Sequence, residues 1–301
     1  MIRSLKSCFI FNPQSGHNAR HPYLRERARV FIARNKLNST VVPTEHPHHA
    51  RELAKRAIDD GCGLIIAIGG DGTLNEVASA LVGTDVVLGM IPCGSGNGLG
   101  RHLGIPGPGK DAFAILLNGK PRTIDTGEAN GHPFFNVMGL GFDAEISQRF
   151  NKLSRRGFNA YARTALQAFF QFQPQACTIR TESEALQTSA FLISIANSDQ
   201  YGNDCFIAPG AQIDDGKLEL TVLKTVNFFN ALPVALRLFT RTIAGSPHIH
   251  RFTSSSFVIE RPAPGLIHTD GETHETDANI NITVRPRSLR ILAPDRTNPH
   301  R

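Results

Sequence analysis

Hydrophobic positions along this chain change their period near residue 120. Up to there, short apolar runs alternate with stretches of helical spacing; beyond it, strand-like segments follow one another with turn residues about every ten positions. Leu64–Ile68 (LIIAI) is an uninterrupted, β-branched run, the pattern of a parallel strand buried on both faces. Gly69 and Gly70 stop it. Thr73 then offers a helix N-cap with Glu76 three residues on, the pattern of a capping box, and Leu74, Val77, Ala78 and Leu81 recur at helical spacing. Strand, glycine turn and helix leave backbone N–H groups directed out of the turn, a cradle for phosphate. Upstream, Ser7–Phe11 and Thr40–Pro43 read as strands, with helices over Arg25–Asn35 and His49–Asp60. Downstream, Val86–Ile91 is a fourth strand and Asp111–Leu117 a further helix. Such β-α alternation predicts a parallel sheet covered by helices, with ligands at the carboxyl ends of the strands. Asn12–Gly16, Thr44 and Gly69–Thr73 all fall at those ends.

From Thr123 onward, RTIDTGEANG, HPFFNVMGLG, ACTIRTES, TSAFLISIANS, GKLELTVLK, SSSFVIERP, ITVRP and SLRILAP alternate and turn like an antiparallel sandwich or barrel. The expected fold is therefore α/β plus β-rich: a parallel-sheet domain over residues 1–122 and an antiparallel β-sandwich domain over 123–285. Two helical inserts, Phe158–Phe172 and Asn227–Ala244, carry many Phe and Leu with Arg on the other side. They either pack over the sheet or offer a face to a lipid chain or membrane.

Composition narrows the partners. A net charge of +6 suits an anionic partner, but the basic residues are spread and not interleaved with Tyr or Phe, which sets nucleic acid last. The 41% hydrophobic content supplies ample core, and no run reaches the roughly eighteen apolar residues of a membrane span. Cys8, Cys62, Cys93, Cys177 and Cys205 are widely spaced without a CxxC pair, as in a reduced, cytosolic protein. Contact with lipid is therefore expected from the cytoplasmic side, at the inner face of the membrane.

Four stretches carry candidate chemistry. Asp71 beside a phosphate cradle would repel its ligand unless a cation such as Mg²⁺ lay between; the alternative is a turn whose Asp bonds its own backbone. Cys93-Gly94-Ser95-Gly96-Asn97-Gly98 is a second glycine turn with polar handles at Ser95, Asn97 and Arg101, Cys93 being a small filler. Asp214-Asp215-Gly216 reads as a hairpin turn or, more sharply, as a metal site. Asp270-Gly271-Glu272 places two carboxylates where a kinase would need a base near the attacking hydroxyl.

Taken in order, Asn12–Gly16 (NPQSG), Gly69–Asn75 (GGDGTLN), Pro92–Asn97 (PCGSGN), Asn136–Asp143 (NVMGLGFD), Asp214–Gly216 and Asp270–Glu272 resemble the diacylglycerol kinase catalytic family, which includes bacterial lipid kinases and sphingosine kinases. The resemblance implies ATP bound by Asn12, Pro13, Gln14, Ser15, Gly16, Thr44, Gly69, Gly70, Asp71, Gly72, Thr73, Leu74, Asn75 and Ser95. It implies Asp71 working with Mg²⁺ at the phosphates, and Glu272 with Asp270 as proton acceptor for a lipid hydroxyl. A structural Mg²⁺ is implied at the loop of Gln212, Asp215 and Lys217, largely through backbone carbonyls. The implied fold is a nucleotide domain and a β-rich lipid domain, with the last strand, near 286–301, returning to the first. Ser95 stands where bacterial diacylglycerol kinases usually have Thr, which leaves open whether diacylglycerol, a sphingoid base or another lipid alcohol is the acceptor. Asp143 and Glu145 are either head-group contacts or surface carboxylates. Two other readings stay open: an NAD kinase or sugar kinase sharing the Gly-Gly-Asp-Gly turn, and a catalytically silent lipid-binding regulator. The Gly-Phe-Leu segment expected of NAD kinases is absent. A homodimer is an even prospect.

Overall fold

The computed structural model describes residues 2–20, 23–151, 164, 167–169 and 171–295. Most of the helix expected over Phe158–Phe172 lies outside them, although 164 and 167–169 are helical. The chain divides into two compact units, residues 1–124 with 287–301, and residues 125–286.

In the first unit, β1 (Ser7–Phe11), β2 (Ser39–Pro43), β3 (Leu64–Gly69) and β4 (Val87–Pro92) run parallel in the order β4-β3-β1-β2. The helices are α1 (Gly16–Arg20), α2 (Tyr23–Asn35), α3 (His49–Asp59), α4 (Asp71–Leu81), α5 (Gly98–His102) and α6 (Lys110–Asn118). Every residue of β3 and β4 is buried, as the continuous apolar runs require. Leu64, Ile66 and Ile68 pack with Phe9, Phe11, Phe113 and Leu116, each large side chain contributing about 1.5–3 kcal/mol on burial. Ala54, Ala57, Val77, Ala78 and Leu81 bury the facing sides of α3 and α4.

Two local expectations give way here. Helix α4 begins at Asp71 with Gly70 as its N-cap, and no side chain caps it; Thr73 lies inside the helix. Glu76 is drawn instead to the preceding helix, where its carboxylate accepts the N–H groups of His48 (3.2 Å) and Ala50 (2.9 Å) at the start of α3. A carboxylate at a neighbouring helix N-terminus satisfies two backbone donors there and meets the positive end of the helix dipole. The short helix α5 inside the second glycine turn was not foreseen.

The second unit is antiparallel. After β5 (Lys120–Ala129), which enters it at Asp125, come β6 (His132–Phe134), β7 (Val137–Gly141), α7 (Phe142–Asn151), β8 (Gln175–Arg180), β9 (Ala185–Ala196) and β10 (Leu218–Lys224). Then follow α8 (Phe228–Phe239), β11 (Ile249–Ser254), β12 (Ser256–Glu260), β13 (Gly265–Thr269), β14 (Glu272–Thr276) and β15 (Asn279–Ala293). The long strand β9 pairs with β8 through its first half and β7 through its second, with β10 alongside. Beyond β7 lie β13 and β14; beyond β8 lie β12 and the first half of β15. Phe134, Met138, Ile193, Ile195, Leu220, Phe257, Ile280 and Ile282 form the core. ITVRP and SLRILAP, expected as separate strands, are one strand of 15 residues; exposed Pro286 and Arg287 (φ 50°) mark where it leaves this unit, and its Arg290 and Ile291 pair in parallel with β4 of the first.

Candidate functional site

At the carboxyl ends of the first unit's strands, three segments are tied together. Asn12, just past β1, donates from Nδ2 to Thr73 Oγ1 (2.8 Å), while its Oδ1 accepts the Gln14 N–H (2.8 Å) and shapes the Asn12–Gly16 turn. Buried Asn18 donates to the carbonyls of Asn12 (2.8 Å) and Ile68 (3.2 Å). The Thr44 N–H reaches the Phe11 carbonyl (2.9 Å), so the end of β2 joins the group. The hydroxyl oxygen of Ser15 is buried with no hydrogen-bond partner among the described residues. Gln14 and Gly72 are exposed, Pro13 and Leu74 half-buried, and Thr73 and Asn75 buried; Asn75 accepts from Ser79 Oγ (3.3 Å). Ser95 is exposed in the second glycine turn.

The two glycine turns touch backbone to backbone. A Cβ on Gly94 would stand 2.8 Å from Gly70 Cα and 2.9 Å from Asn97 Oδ1, so neither turn admits a side chain at the contact. Asp71 locks them. Its Oδ2 accepts the N–H of Asn97 (2.9 Å) and its Oδ1 that of Gly98 (3.1 Å). Asn97, left-handed at φ 52°, closes its own turn by exchanging hydrogen bonds with Gly94 through Oδ1 and Nδ2, both 2.9 Å. The Asp71 charge is thus met by backbone dipoles from the neighbouring turn, a compensation that spacing alone did not reveal.

In the second unit, Asp270-Gly271 forms a two-residue hairpin loop between β13 and β14, both residues with positive φ (50° and 88°), the type I′ geometry that Asp-Gly favours. The Asp270 carboxylate accepts three successive backbone N–H groups: Phe135 (2.8 Å) on Oδ2, Asn136 and Val137 (2.9 Å each) on Oδ1. Glu272 opens β14 opposite Thr269 and is half-buried. Beside them, Asp143 is 4% exposed, not a surface carboxylate. Its Oδ2 receives the Tyr201 hydroxyl (2.5 Å) and lies 3.1 Å from His268 Nε2. His268 Nδ1 accepts the Gly271 N–H (3.3 Å), which leaves the ring proton on Nε2, facing Asp143. A chain of contacts therefore runs Tyr201–Asp143–His268–Gly271 to the residue before Glu272. Glu145, by contrast, is half-buried and paired with Arg149 (2.7 Å).

Gln212, Asp215 and Lys217 are exposed, and Asp215 Oδ1 accepts the Lys217 N–H (3.0 Å) within its own turn. The side chain that anchors this loop is the fully buried Asp125, which carries no motif signal in the sequence. Its Oδ2 accepts the Gly216 N–H (2.7 Å) and its N–H reaches the Ile213 carbonyl (2.8 Å). Among the described residues the one group of three His, Cys, Asp or Glu side chains with ligand atoms within 4.8 Å of one another is elsewhere: His46, His49 and Glu52. His49 Nδ1 accepts the Glu45 N–H (3.0 Å), so the neutral ring carries its proton on Nε2 and offers a metal no lone pair there. Burial pushes the Cys93 thiol up to about 12, which suits a filler and not a nucleophile.

Residues 6–129 match the diacylglycerol kinase catalytic domain, and residues 136–293 match the YegS C-terminal NAD kinase beta sandwich-like domain. Lipid kinase YegS of Escherichia coli (strain K12) is 32% identical over 295 residues, 96% of each chain. Diacylglycerol kinase of Bacillus subtilis (strain 168) is 30% identical over 271 residues, 87% of this chain and 88% of its own. A crystal structure of a diacylglycerol kinase from Bacillus anthracis str. Sterne shares the fold, with a TM-score of 0.71 at 19% identity over 98% of both chains.

Proposed function

Because the chain belongs to the diacylglycerol kinase catalytic-domain family, we propose that it transfers the γ-phosphoryl group of ATP to the hydroxyl of a membrane lipid, diacylglycerol or a sphingoid base. The observation that carries the nucleotide half of this reading is the cradle around Ser15. A buried hydroxyl without a partner costs about 1–3 kcal/mol, and a phosphate oxygen would remove that cost. Asn12–Gly16, Thr44, Gly69–Asn75 and Ser95 would hold the phosphates through backbone N–H and hydroxyl donors, close approach being secured by Gly70 against Gly94.

Bound with the nucleotide, Mg²⁺ would neutralise charge on the phosphates. Asp71 fits that company as the carboxylate that opens α4 at the first glycine turn. Its main task is to fix the second glycine turn. Asp215, with Gln212 and Lys217, would supply a separate structural Mg²⁺ site on the loop that Asp125 anchors.

The two carboxylates of the hairpin divide the acid–base work. Asp270 engages both of its oxygens with three backbone amides, so its task is to position the turn. Glu272 accepts the proton as the lipid oxygen bonds to the γ-phosphorus and the bond from that phosphorus to the β–γ bridging oxygen breaks, releasing ADP. The enzyme would work in the cytoplasm, at the inner face of the membrane. Phosphoryl transfer from labelled ATP to a panel of diacylglycerol, monoacylglycerol, phosphatidylglycerol, sphingosine and ceramide in mixed micelles tests the reading, with NAD as control. One labelled lipid, lost in Glu272→Gln, is the expected result; label in NAD alone, or in nothing while ATP still binds, would overturn it.

A further inference from the structure

Helix α8 is apolar on both sides, yet one side is open. Val234 is buried against Phe191, Leu223 and Ile243, with Leu238 packed on the same cluster. On the opposite side, Leu232 is 66% and Leu236 58% exposed, with Phe239 at 45% on the flank and Phe229, one turn earlier, at 83%. A helix that is apolar all round is normally enclosed. The chain around it is basic: between Glu219 and Glu260 there is no acidic residue, but there are Lys224, Arg237, Arg241 and Arg251. Arg251 is paired with Glu219 (3.0 Å). Arg237 and Arg241 sit at the C-terminal end of the apolar stripe, Arg241 stacked 4.0 Å over the Phe206 ring.

We propose that the open face of α8 (Leu232, Leu236 and Phe239, with Phe229) lies in the interface of an anionic lipid bilayer, with Arg237 and Arg241 among the head groups. At 12 residues the helix spans about 18 Å, too short for the roughly 30 Å hydrocarbon core, so it lies along the surface. The acid-free, basic stretch between Glu219 and Glu260 favours a bilayer over a protein surface of mixed charge, since Lys and Arg near an anionic leaflet each add roughly fivefold to binding. The inference rests on the lipid-kinase reading for the reason a bilayer is met at all. It adds which surface meets it.

The test is co-sedimentation of the full chain with vesicles of phosphatidylcholine alone and with one-third phosphatidylglycerol, comparing wild type with the double variant Leu232→Glu/Leu236→Glu. Both positions are exposed, so matching thermal melts are expected to confirm folding, and Leu232→Ser/Leu236→Ser serves as a milder pair. Binding to anionic vesicles should fall about tenfold per leucine, for side chains half withdrawn from water, while transfer to a dispersed short-chain diacylglycerol stays unchanged. Equal vesicle binding by variant and wild type would overturn the proposal. So would a change from dimer to monomer in sedimentation velocity with vesicle binding intact, which would make this face a contact between copies. Loss of vesicle binding in a protein that phosphorylates no lipid would sustain the inference for α8 while removing the kinase reading.

Discussion

Asp270→Asn is the sharpest probe of how the second unit holds its acidic hairpin. The carboxylate accepts three amides on two oxygens at 2.8–2.9 Å. An Asn side chain keeps one oxygen, enough for Asn136 and Val137, and turns an NH₂ group onto the Phe135 N–H, donor against donor. Charge-assisted hydrogen bonds are worth about 1.5–3 kcal/mol and neutral ones about 0.5–1.5 kcal/mol. One bond lost and two weakened then amount to about 2–4 kcal/mol, with allowance for water reaching the half-exposed turn. Backbone strain does not enter, because Asn tolerates the left-handed conformation that residue 270 adopts (φ 50°). Amide hydrogen exchange reads the effect where it arises: Phe135, Asn136 and Val137 should open about 30- to 1,000-fold more often in the variant. Urea unfolding should shift to lower concentration with an unchanged slope. Exchange unaltered at these three amides, with stability within about 0.5 kcal/mol of wild type, would refute the assignment of Asp270 to positioning.

Three other outcomes follow from the geometry. Glu272→Gln should lower kcat by about 10²–10⁴ at an unchanged melting temperature; a loss of stability instead of rate would make Glu272 a structural residue. Gly94→Ala must push a Cβ against Gly70 Cα at 2.8 Å, where only backbone can yield. Calorimetry should show ATP binding weakened about tenfold and stability reduced by about 1–3 kcal/mol, and wild-type affinity would dismiss the paired-turn cradle. The Cys93 thiol has its pKa raised from 9.0 to about 12 by burial, so the folded protein holds this proton more tightly than the unfolded chain. That stabilisation is complete below pH 9 and is lost as pH rises toward 12, at about 1.4 kcal/mol per pH unit. Cys177 and Cys205 act in the same direction. Urea midpoints at pH 8.5 and 10.5 should therefore fall more steeply for wild type than for Cys93→Ala, and parallel slopes would contradict the buried thiol.

What could be read from the sequence was what depends on near neighbours. The run Leu64–Ile68 forecasts a strand buried on both faces because its own side chains carry the signal, and the same holds for β1, β4 and most strands of the second unit. Helix α7 escaped notice because Gly141, at φ 76°, turns an apolar strand straight into a helix with no spacer. The capping box failed for a related reason: Glu76 has a better use 26 and 28 residues away, and local pattern has no access to that competition.

The candidate site shows the same division, with a consequence for chemistry. Asp71 and Asp270 stand out in the sequence as carboxylates in glycine turns, the kind of residue one assigns to a metal or a proton. Their partners are amides 26 and 27 residues away for Asp71, and 133 to 135 away for Asp270. Each therefore supports a turn before it can do anything else. An aspartate whose two oxygens both accept amides makes a poor proton acceptor, because a proton on Oδ2 would compete with the Phe135 bond. On the kinase reading proposed above, the proton would fall to Glu272, which opens β14 directly after this hairpin loop. The Tyr201–Asp143–His268 chain, buried at Asp143 and His268, ends on Gly271, the residue before it. Two independent supports thus converge on one short hairpin, Asp270 from the β7 side and His268 from the α7 side. In the proposed reading Glu272 would then be a half-buried base on a hairpin held from both sides, as proton transfer at a fixed hydroxyl requires.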